Sequence, residues 1–259
     1  MLLALDIGNT NITIGVFEDS RLAATWRIAT DTSRLPDEYA VVMLDLFRVG
    51  GVEPRSLSHA VMASVVPSLT PVFEEVCQRY FKIVPLVVGA GIRTGLRILY
   101  DTPREVGADR VVDAVAALHA YGPPPLVVVD FGTATVFDAV NAEGDYLGGA
   151  IAPGVGIAAQ ALFEKASLLW TVKLERPRSA IGKNTANAMQ AGIMFGYVGL
   201  VEGIVNRFRE ELGGTATVIA TGGLADLIAS ETDVIDHVDK DLTLRGLQLI
   251  EEMNRNGRD

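Results

Sequence analysis

The chain has 259 residues, 49% hydrophobic and 21% charged, with a formal net charge of −10; this suits one large or two small packed domains and excludes a disordered chain. So acidic a balance, with Lys and Arg scattered, argues against nucleic-acid or membrane partners recognised through a basic face. Despite a mean hydropathy of +0.30, no run approaches the ~20 apolar residues of a spanning helix, and the single cysteine, Cys77, excludes an intrachain disulfide and a metal site caged by cysteines and fits a cytoplasmic protein.

In chain order, Leu2 to Leu5 is apolar and runs into Asp6-Ile7-Gly8-Asn9-Thr10. It has no basic segment and Asp6 interrupts it, so it reads as a buried strand and not as a signal peptide. Alternation resumes from Asn11 to Phe17; after the turn Glu18-Asp19-Ser20, Arg21 to Ile28 completes a three-strand meander. Pro36 to Val49 has helical spacing with proline in the first turn. A strand over His59 to Val66, a helix over Pro71 to Phe81 and a strand over Ile83 to Val88 follow. Cys77 falls on the amphipathic pattern of that helix and is expected to be a core thiol. Val111 to Ala120 is an apolar helix.

The pattern then restarts. Tyr121-Gly122-Pro123-Pro124-Pro125 is the strongest punctuation in the chain. After it come an apolar strand, Leu126 to Val129, the turn Asp130-Phe131-Gly132-Thr133-Ala134-Thr135, a strand to Val140, the turn Asn141 to Asp145, and a third strand, Tyr146 to Ile151. Helices over Ile157 to Lys165 and from about Thr185 to Leu212 precede a strand, Thr217 to Ala220, which enters Thr221-Gly222-Gly223; a helix from Leu242 to Met253 closes the sequence. Strand, Asp-x-Gly, strand, polar turn, strand therefore occurs twice. Such a repeat implies two α/β domains, 1–120 and 121–259, related by internal pseudo-symmetry, with an interdomain cleft where both turns face one ligand.

Either Asp-x-Gly turn alone could be an ordinary β-turn; two in the same context point to phosphate binding. Gly8 and Gly132 let the backbone approach a phosphate closely, and Asn9, Thr10, Thr133 and the turn N–H groups can donate hydrogen bonds to it. Asp6 is repelled by phosphate but can hold waters around a bridging Mg²⁺. Asp130 can do the same from the other domain. The glycines of Thr221-Gly222-Gly223 read either as an ordinary strand-to-helix turn or as a flat surface for adenine or ribose. No GxGxxG fingerprint and no Walker GxxxxGK[ST] motif is present. Asp109 and Arg110 read either as an ordinary helix start or as a general base and an anion clamp. Thr185 reads by default as a helix cap, and otherwise as a hydroxyl offered to a substrate. His59, His119 and His237 have no metal-ligand spacing.

Taken together, Asp6-Ile7-Gly8-Asn9-Thr10, Pro103 followed by Gly107-Ala108-Asp109-Arg110, Asp130-Phe131-Gly132-Thr133-Ala134, Gly182-Lys183-Asn184-Thr185 and Thr221-Gly222-Gly223 resemble the type III pantothenate kinases, within the acetate-kinase, sugar-kinase, Hsp70 and actin superfamily. The resemblance extends from Leu2 to Leu247, and Gly107–Arg110 with Gly182–Thr185 is its most specific part. One departure is Val136, where threonine is the usual residue. The resemblance implies two RNase H-like (actin-like ATPase) domains, a homodimer, and transfer of the ATP γ-phosphoryl group to the primary hydroxyl of pantothenate, the entry to coenzyme A synthesis. It further implies that Asp6, Ile7, Gly8, Asn9, Thr10, Asn11, Ile12 and Thr13 bind ATP phosphates together with Thr133. Asp130 would hold a monovalent cation, K⁺ or NH₄⁺, and Asp6 a Mg²⁺ through water. Tyr100, Gly107, Ala108, Asp109, Arg110 and Thr185 would form the pantothenate site, with Asp109 as proton acceptor and Thr185 reaching across the dimer. Two other readings share the fold: a kinase of another small hydroxyl or carboxylate acceptor, and a non-catalytic nucleotide-binding regulator.

Overall fold

The computed structural model of the chain describes residues 1–165 and 172–255. The chain divides into two compact units. One comprises 1–96, 102–116 and 242–259, the other 97–101 and 117–241.

The first unit is built on β1 (Leu2–Ile7), β2 (Asn11–Glu18) and β3 (Arg21–Ala29), followed by α1 (Pro36–Val49), β4 (His59–Ser64), α2 (Thr70–Val76), β5 (Leu86–Val87) and the start of α3 (Ala108–Tyr121). Its sheet has the order β3-β2-β1-β4-β5. The first three strands form an antiparallel meander, and β4 and β5 add parallel to β1. β1 is apolar from Leu2 to Leu5 because both faces are covered there. Leu3, Leu5 and Ile7 pack into a core with Tyr39, Met43 and Phe47 of α1 and Phe73 of α2. Leu2 and Ala4 face the other way, toward Val112 and Val115 of α3. Helix α1 starts where the sequence places it: Pro36 sits in the first turn and the Glu38 carboxylate accepts the Leu35 N–H at 2.8 Å. Its buried residues Tyr39, Ala40, Met43 and Phe47 keep the helical spacing. The expected helix over Pro71 to Phe81 is α up to Val76 and continues as a π-helical turn, Cys77–Phe81. Cys77 is fully buried there, and burial pushes its thiol up to about 12, so the residue packs as an inert apolar group.

The second unit repeats the plan with β6 (Leu126–Phe131), β7 (Ala134–Val140) and β8 (Tyr146–Pro153), then α4 (Val155–Lys165), α5 (Thr185–Glu211), β9 (Thr217–Thr221), α6 (Ala225–Ala229) and β10 (His237–Val238). Its sheet order is β8-β7-β6-β9-β10, with the same antiparallel meander and the same two parallel additions. Strand for strand, the two sheets are the same RNase H-like design, as the repeated pattern of residues implies. Helix α5 is, by length and composition alone, long and apolar enough to cross a membrane, with a mean hydropathy of 1.4 over its most apolar 18 residues. Its Met194, Tyr197, Val201 and Val205 are buried against Val127, Val129 and Phe137 of the sheet. That stripe is core packing, the expected behaviour of a helix laid on one face of an α/β sheet.

The last helix, α7 (Leu242–Arg255), joins the first unit and not the second. Leu244, Leu247 and Ile250 fill the β1–β4 face beside Val112 and Val115, and Arg97–Asp101 belongs with the second unit. Both segments cross the 120/121 division expected from the sequence. Helix α7 meets α3 at Gly246, where an added Cβ would lie 2.3 Å from the Val112 carbonyl oxygen. Neither helix backbone can yield without unpacking Leu244 and Leu247. Gly246→Ala is therefore expected to destabilise the fold by about 3 kcal/mol, on the scale of core overpacking, measured as a lower urea midpoint at unchanged slope.

Candidate active site

The two Asp-x-Gly turns occupy equivalent places, at the C-terminal ends of the central strands β1 and β6. Ligands of open α/β sheets bind at such strand ends. Asp6 pairs across the sheet with Thr13 on β2 and Ala63 on β4. Asp130 pairs with Val136 on β7 and Thr221 on β9. The turns themselves differ. Gly8, Asn9 and Thr10 separate β1 from β2, whereas only Gly132 and Thr133 separate β6 from β7. The shorter turn sets Val136, and not a later residue, opposite Asp130. Val136 thus stands where the first unit has Thr13, which removes one hydroxyl from beside the second carboxylate.

In the first unit, the Gly8 N–H donates to the Asn11 carbonyl at 3.1 Å and closes the turn. A Cβ on Gly8 would sit 3.0 Å from that oxygen, so a side chain there would press on the hairpin. The end of β4 continues the contact: the Val65 N–H donates to the Ile7 carbonyl at 3.0 Å. Gly107 lies against Val65, its ideal Cβ position 3.6 Å from Val65 Cγ1 and 2.5 Å from Asp109 Oδ1. A chain of neighbours, Ile7 to Val65 to Gly107 to Asp109, therefore brings the first turn and Asp109 to one end of one sheet. The absence of a side chain at Gly107 gives the Asp109 carboxylate its place.

Asp109 lies in the first turn of α3 and is half-buried. Its Oδ1 accepts the Arg110 N–H at 2.8 Å. Loss of hydration on burial raises its pKa above the usual carboxylate range, and the Arg110 N–H and guanidinium only partly offset this. A carboxylate held this way is a better proton acceptor than a solvated one. Ala108 and Arg110 flank it in the same helical turn.

In the second unit, the Asp130 carboxylate is seated between two glycines. A Cβ on Gly132 would meet its Oδ2 at 3.0 Å, and one on Gly222 would meet its Oδ1 at 2.5 Å. Gly222 has φ +91° and also lies against the Phe131 backbone. The missing side chain at Gly222 thus leaves room for the Asp130 carboxylate. The Thr133 carbonyl accepts the Gly154 N–H at 3.2 Å, and a Cβ on Gly154 would lie 2.2 Å from that oxygen. The start of α4 therefore braces the second turn. Sequence reasoning missed Gly154; the available signal was a glycine at a strand-to-helix junction, which marks close backbone approach.

Tyr100 and Thr185 lie on other elements of the second unit. The segment carrying Tyr100 is held on β8: the Leu99 N–H donates to the Tyr146 carbonyl, the Tyr146 N–H to the Arg97 carbonyl, each at 2.8 Å. The Tyr100 ring rests on Gly148, whose ideal Cβ would be 2.9 Å from it. Thr185 opens α5, but the cap is Asn184, whose side chain accepts the Asn187 N–H at 2.9 Å. This corrects the default reading of Thr185 as the cap: Asn184 holds the extended backbone position before the helix, from which its side-chain oxygen reaches the orphan N–H, and Thr185 lies exposed in the first turn. It borders a cavity of about 420 Å³ with Leu162, Ala188, Met189, Gly192 and Ile193.

Among the described residues, no group of three or more His, Cys, Asp or Glu side chains could enclose a metal ion. A single carboxylate such as Asp6 nonetheless suits a hydrated Mg²⁺ that arrives on a polyphosphate, since Mg²⁺ keeps several waters and takes few protein ligands.

Two RNase H-like units carrying paired Asp-x-Gly turns define an actin-like phosphotransferase or ATPase fold. Solved structures share it: the activator of 2-hydroxyisocaproyl-CoA dehydratase from Clostridium difficile (TM-score 0.52, 12% identity, 99% of this chain and 97% of that one), and the inorganic polyphosphate/ATP-glucomannokinase of Arthrobacter sp. strain KM (TM-score 0.52, 15% identity, 98% of each chain). Residues 2–207 match the family model for type III pantothenate kinase, and the type III pantothenate kinase of Roseiflexus sp. strain RS-1 is 54% identical over 98% of this chain and 100% of its own length. The chain belongs to the type III pantothenate kinase family.

Proposed function

We propose that this protein transfers the γ-phosphoryl group of ATP to the primary hydroxyl of pantothenate, the first step toward coenzyme A, with Asp109 as the proton acceptor. The observation that carries this reading is the path Ile7–Val65–Gly107–Asp109, which sets the Gly8–Thr10 turn and a carboxylate of raised pKa at the same end of one sheet, in a chain 54% identical to a type III pantothenate kinase.

In this reading residues Asp6 to Thr13 and Thr133 hold the triphosphate by turn N–H groups and hydroxyls. Gly107, Ala108 and Arg110 hold pantothenate beside Asp109, the guanidinium taking its carboxylate, and Tyr100 and Thr185 contribute further contacts. The pantothenate hydroxyl oxygen attacks Pγ as the bond from Pγ to the bridging oxygen breaks, ADP leaves, and the hydroxyl proton passes to Asp109 Oδ. When bound at the phosphates, Mg²⁺ neutralises the charge that spreads over them. Most of the rate then comes from position and charge, with the base orienting the nucleophile.

Asp130 is proposed as the ligand of a monovalent cation, K⁺ or NH₄⁺. Its seat between Gly132 and Gly222 leaves the carboxylate no neighbouring side chain from those two positions. The rate is expected to rise when Na⁺ is replaced by K⁺ or NH₄⁺, and Asp130→Ala is expected to lose that response; a rate indifferent to the monovalent ion would contradict the assignment. A homodimer is proposed through the exposed apolar residues of the second unit, Leu147 and Ile151 on β8 with Ile157 and Leu162 on α4, next to Thr185 on the α4–α5 groove. A cytoplasmic location agrees with a soluble metabolic enzyme whose only cysteine is a buried free thiol.

The test of the reaction is turnover of ATP with pantothenate against a panel of other hydroxyl and carboxylate acceptors. Selective use of pantothenate is the expected result; equal or better use of another acceptor would reassign the substrate.

A further inference from the structure

The first turn is held by a residue that neither the repeat nor the family motifs single out. Thr30 follows β3, and both of its hydrogen-bonding donors go to the turn. Its hydroxyl donates to the Gly8 carbonyl at 2.6 Å and its N–H donates to the Thr10 carbonyl at 3.0 Å. Within a trans peptide the carbonyl and the N–H point in opposite directions. Fixing the Gly8 and Thr10 carbonyls on the Thr30 side therefore fixes the N–H groups of Asn9 and Asn11 on the other side, as donors free to face a phosphate.

The anchor is itself anchored. The next residue, Asp31, is bound through its backbone on both sides by the Tyr39 hydroxyl, which accepts the Asp31 N–H at 3.0 Å and donates to the Asp31 carbonyl at 2.8 Å. The Tyr39 ring is fully buried and lies 4.7 Å, centroid to centroid, from Phe73. Through Tyr39, the position of Thr30 is tied to the packing of α1 and α2 on the sheet. In the second unit the residue in the same place, Gly154 after β8, donates its N–H to the Thr133 carbonyl at 3.2 Å in the same way, but as a glycine it has no hydroxyl to add a second bond.

We propose that Thr30 is the positioning residue of the first phosphate turn: its hydroxyl orients the Gly8–Thr10 backbone so that the N–H groups are set before ATP arrives. This rests on the proposed reading of that turn as the ATP site. Preset donors avoid an ordering cost on binding, so loss of the hydroxyl falls on nucleotide affinity and spares the acceptor site.

The experiment compares Thr30→Val, Thr30→Ala and Thr30→Ser in the full chain, by equilibrium binding of MgATP, by steady-state kinetics in both substrates, and by amide hydrogen exchange of the ligand-free protein. Thr30→Val and Thr30→Ala are expected to weaken MgATP binding by roughly five- to tenfold, the scale of one hydrogen bond with a carbonyl left unpaired. KM for ATP should rise alike, KM for pantothenate should stay unchanged, and exchange at Asn9 to Asn11 should quicken. Thr30→Ser should behave as the parent. Folded Val and Ala variants with parental ATP affinity and parental exchange would overturn the proposal, as would Thr30→Ser being as weak as Thr30→Ala. If Val and Ala fail to fold while Ser folds, the hydroxyl is a requirement of the fold and the positioning role is lost. A parent protein that bound no MgATP would instead count against the ATP site, and the exchange rates would then decide the clamp alone.

Discussion

Asp109→Asn is expected to fold normally and to lose at least about 100-fold in kcat, the scale on which positioned acid–base groups act. Asparagine keeps the shape, and its side-chain oxygen can still accept the Arg110 N–H that Asp109 Oδ1 now accepts at 2.8 Å. It cannot take the hydroxyl proton. The pH dependence follows from the same group. Asp109 must be ionised to act, and burial raises its pKa above the usual carboxylate value. The acid limb of kcat/KM should therefore lie higher in pH than for a solvated carboxylate near about 3.9, and should be absent from the residual activity of Asp109→Asn. The stability effect has the opposite sense. A carboxyl whose folded pKa is raised favours the fold when protonated, and that contribution is lost as pH rises from the unfolded pKa through the folded one. At neutral pH, Asp109→Asn should be at least as stable as the parent by chemical denaturation. Parental kcat in Asp109→Asn would remove the residue from proton transfer.

Gly222→Ala carries the second large effect, this time on the fold and on the second turn together. At φ +91° an alanine is strained, and its Cβ would lie 2.5 Å from Asp130 Oδ1 and 2.7 Å from the Phe131 backbone. A left-handed non-glycine costs about 1–2 kcal/mol and overpacking a further 1–3 kcal/mol. With a melting-temperature change of about 2–4 °C per kcal/mol for a chain of this size, a drop of roughly 5–15 °C is expected by calorimetry. Relief of the Oδ1 contact displaces the Asp130 carboxylate, so the monovalent-cation response should fall even where the variant remains folded at the assay temperature. An unchanged melting temperature would show that the Thr221–Gly222 peptide can turn away from the carboxylate.

The parts of the molecule legible in its residues are those governed by local periodicity. The alternation in Asn11 to Phe17 and the apolar run Leu126 to Val129 read as strands because a sheet face is buried every second residue. Pro36, with acidic residues behind it, marks the start of α1 by a local rule of helix ends. The equivalence of Asp6 and Asp130 was visible because both turns follow an apolar strand and precede a β meander. What was not legible depends on contacts between residues distant in sequence. Leu244, Leu247 and Ile250 spell an apolar helix face, yet nothing local says that it covers β1 and β4 and not the nearer second sheet. The strand over Ile83 to Val88 shortens to Leu86–Val87, because an edge strand is limited by its single neighbour β4. Gly222 reads as a turn glycine, and only the fold reveals that its missing side chain is the space used by Asp130. Asn184 and Thr185 are both good capping residues, and the choice between them was made by the backbone, extended at Asn184.

The direct test of the proposed reaction is the mass of the product formed from pantothenate with ATP, Mg²⁺ and K⁺. The expected result is pantothenate heavier by one phosphoryl group with ADP released in equal amount, and at most about a hundredth as much of this product from Asp109→Asn over the same interval. ATP consumed with pantothenate left unmodified, or full product formation by the Asp109→Asn variant, would contradict it.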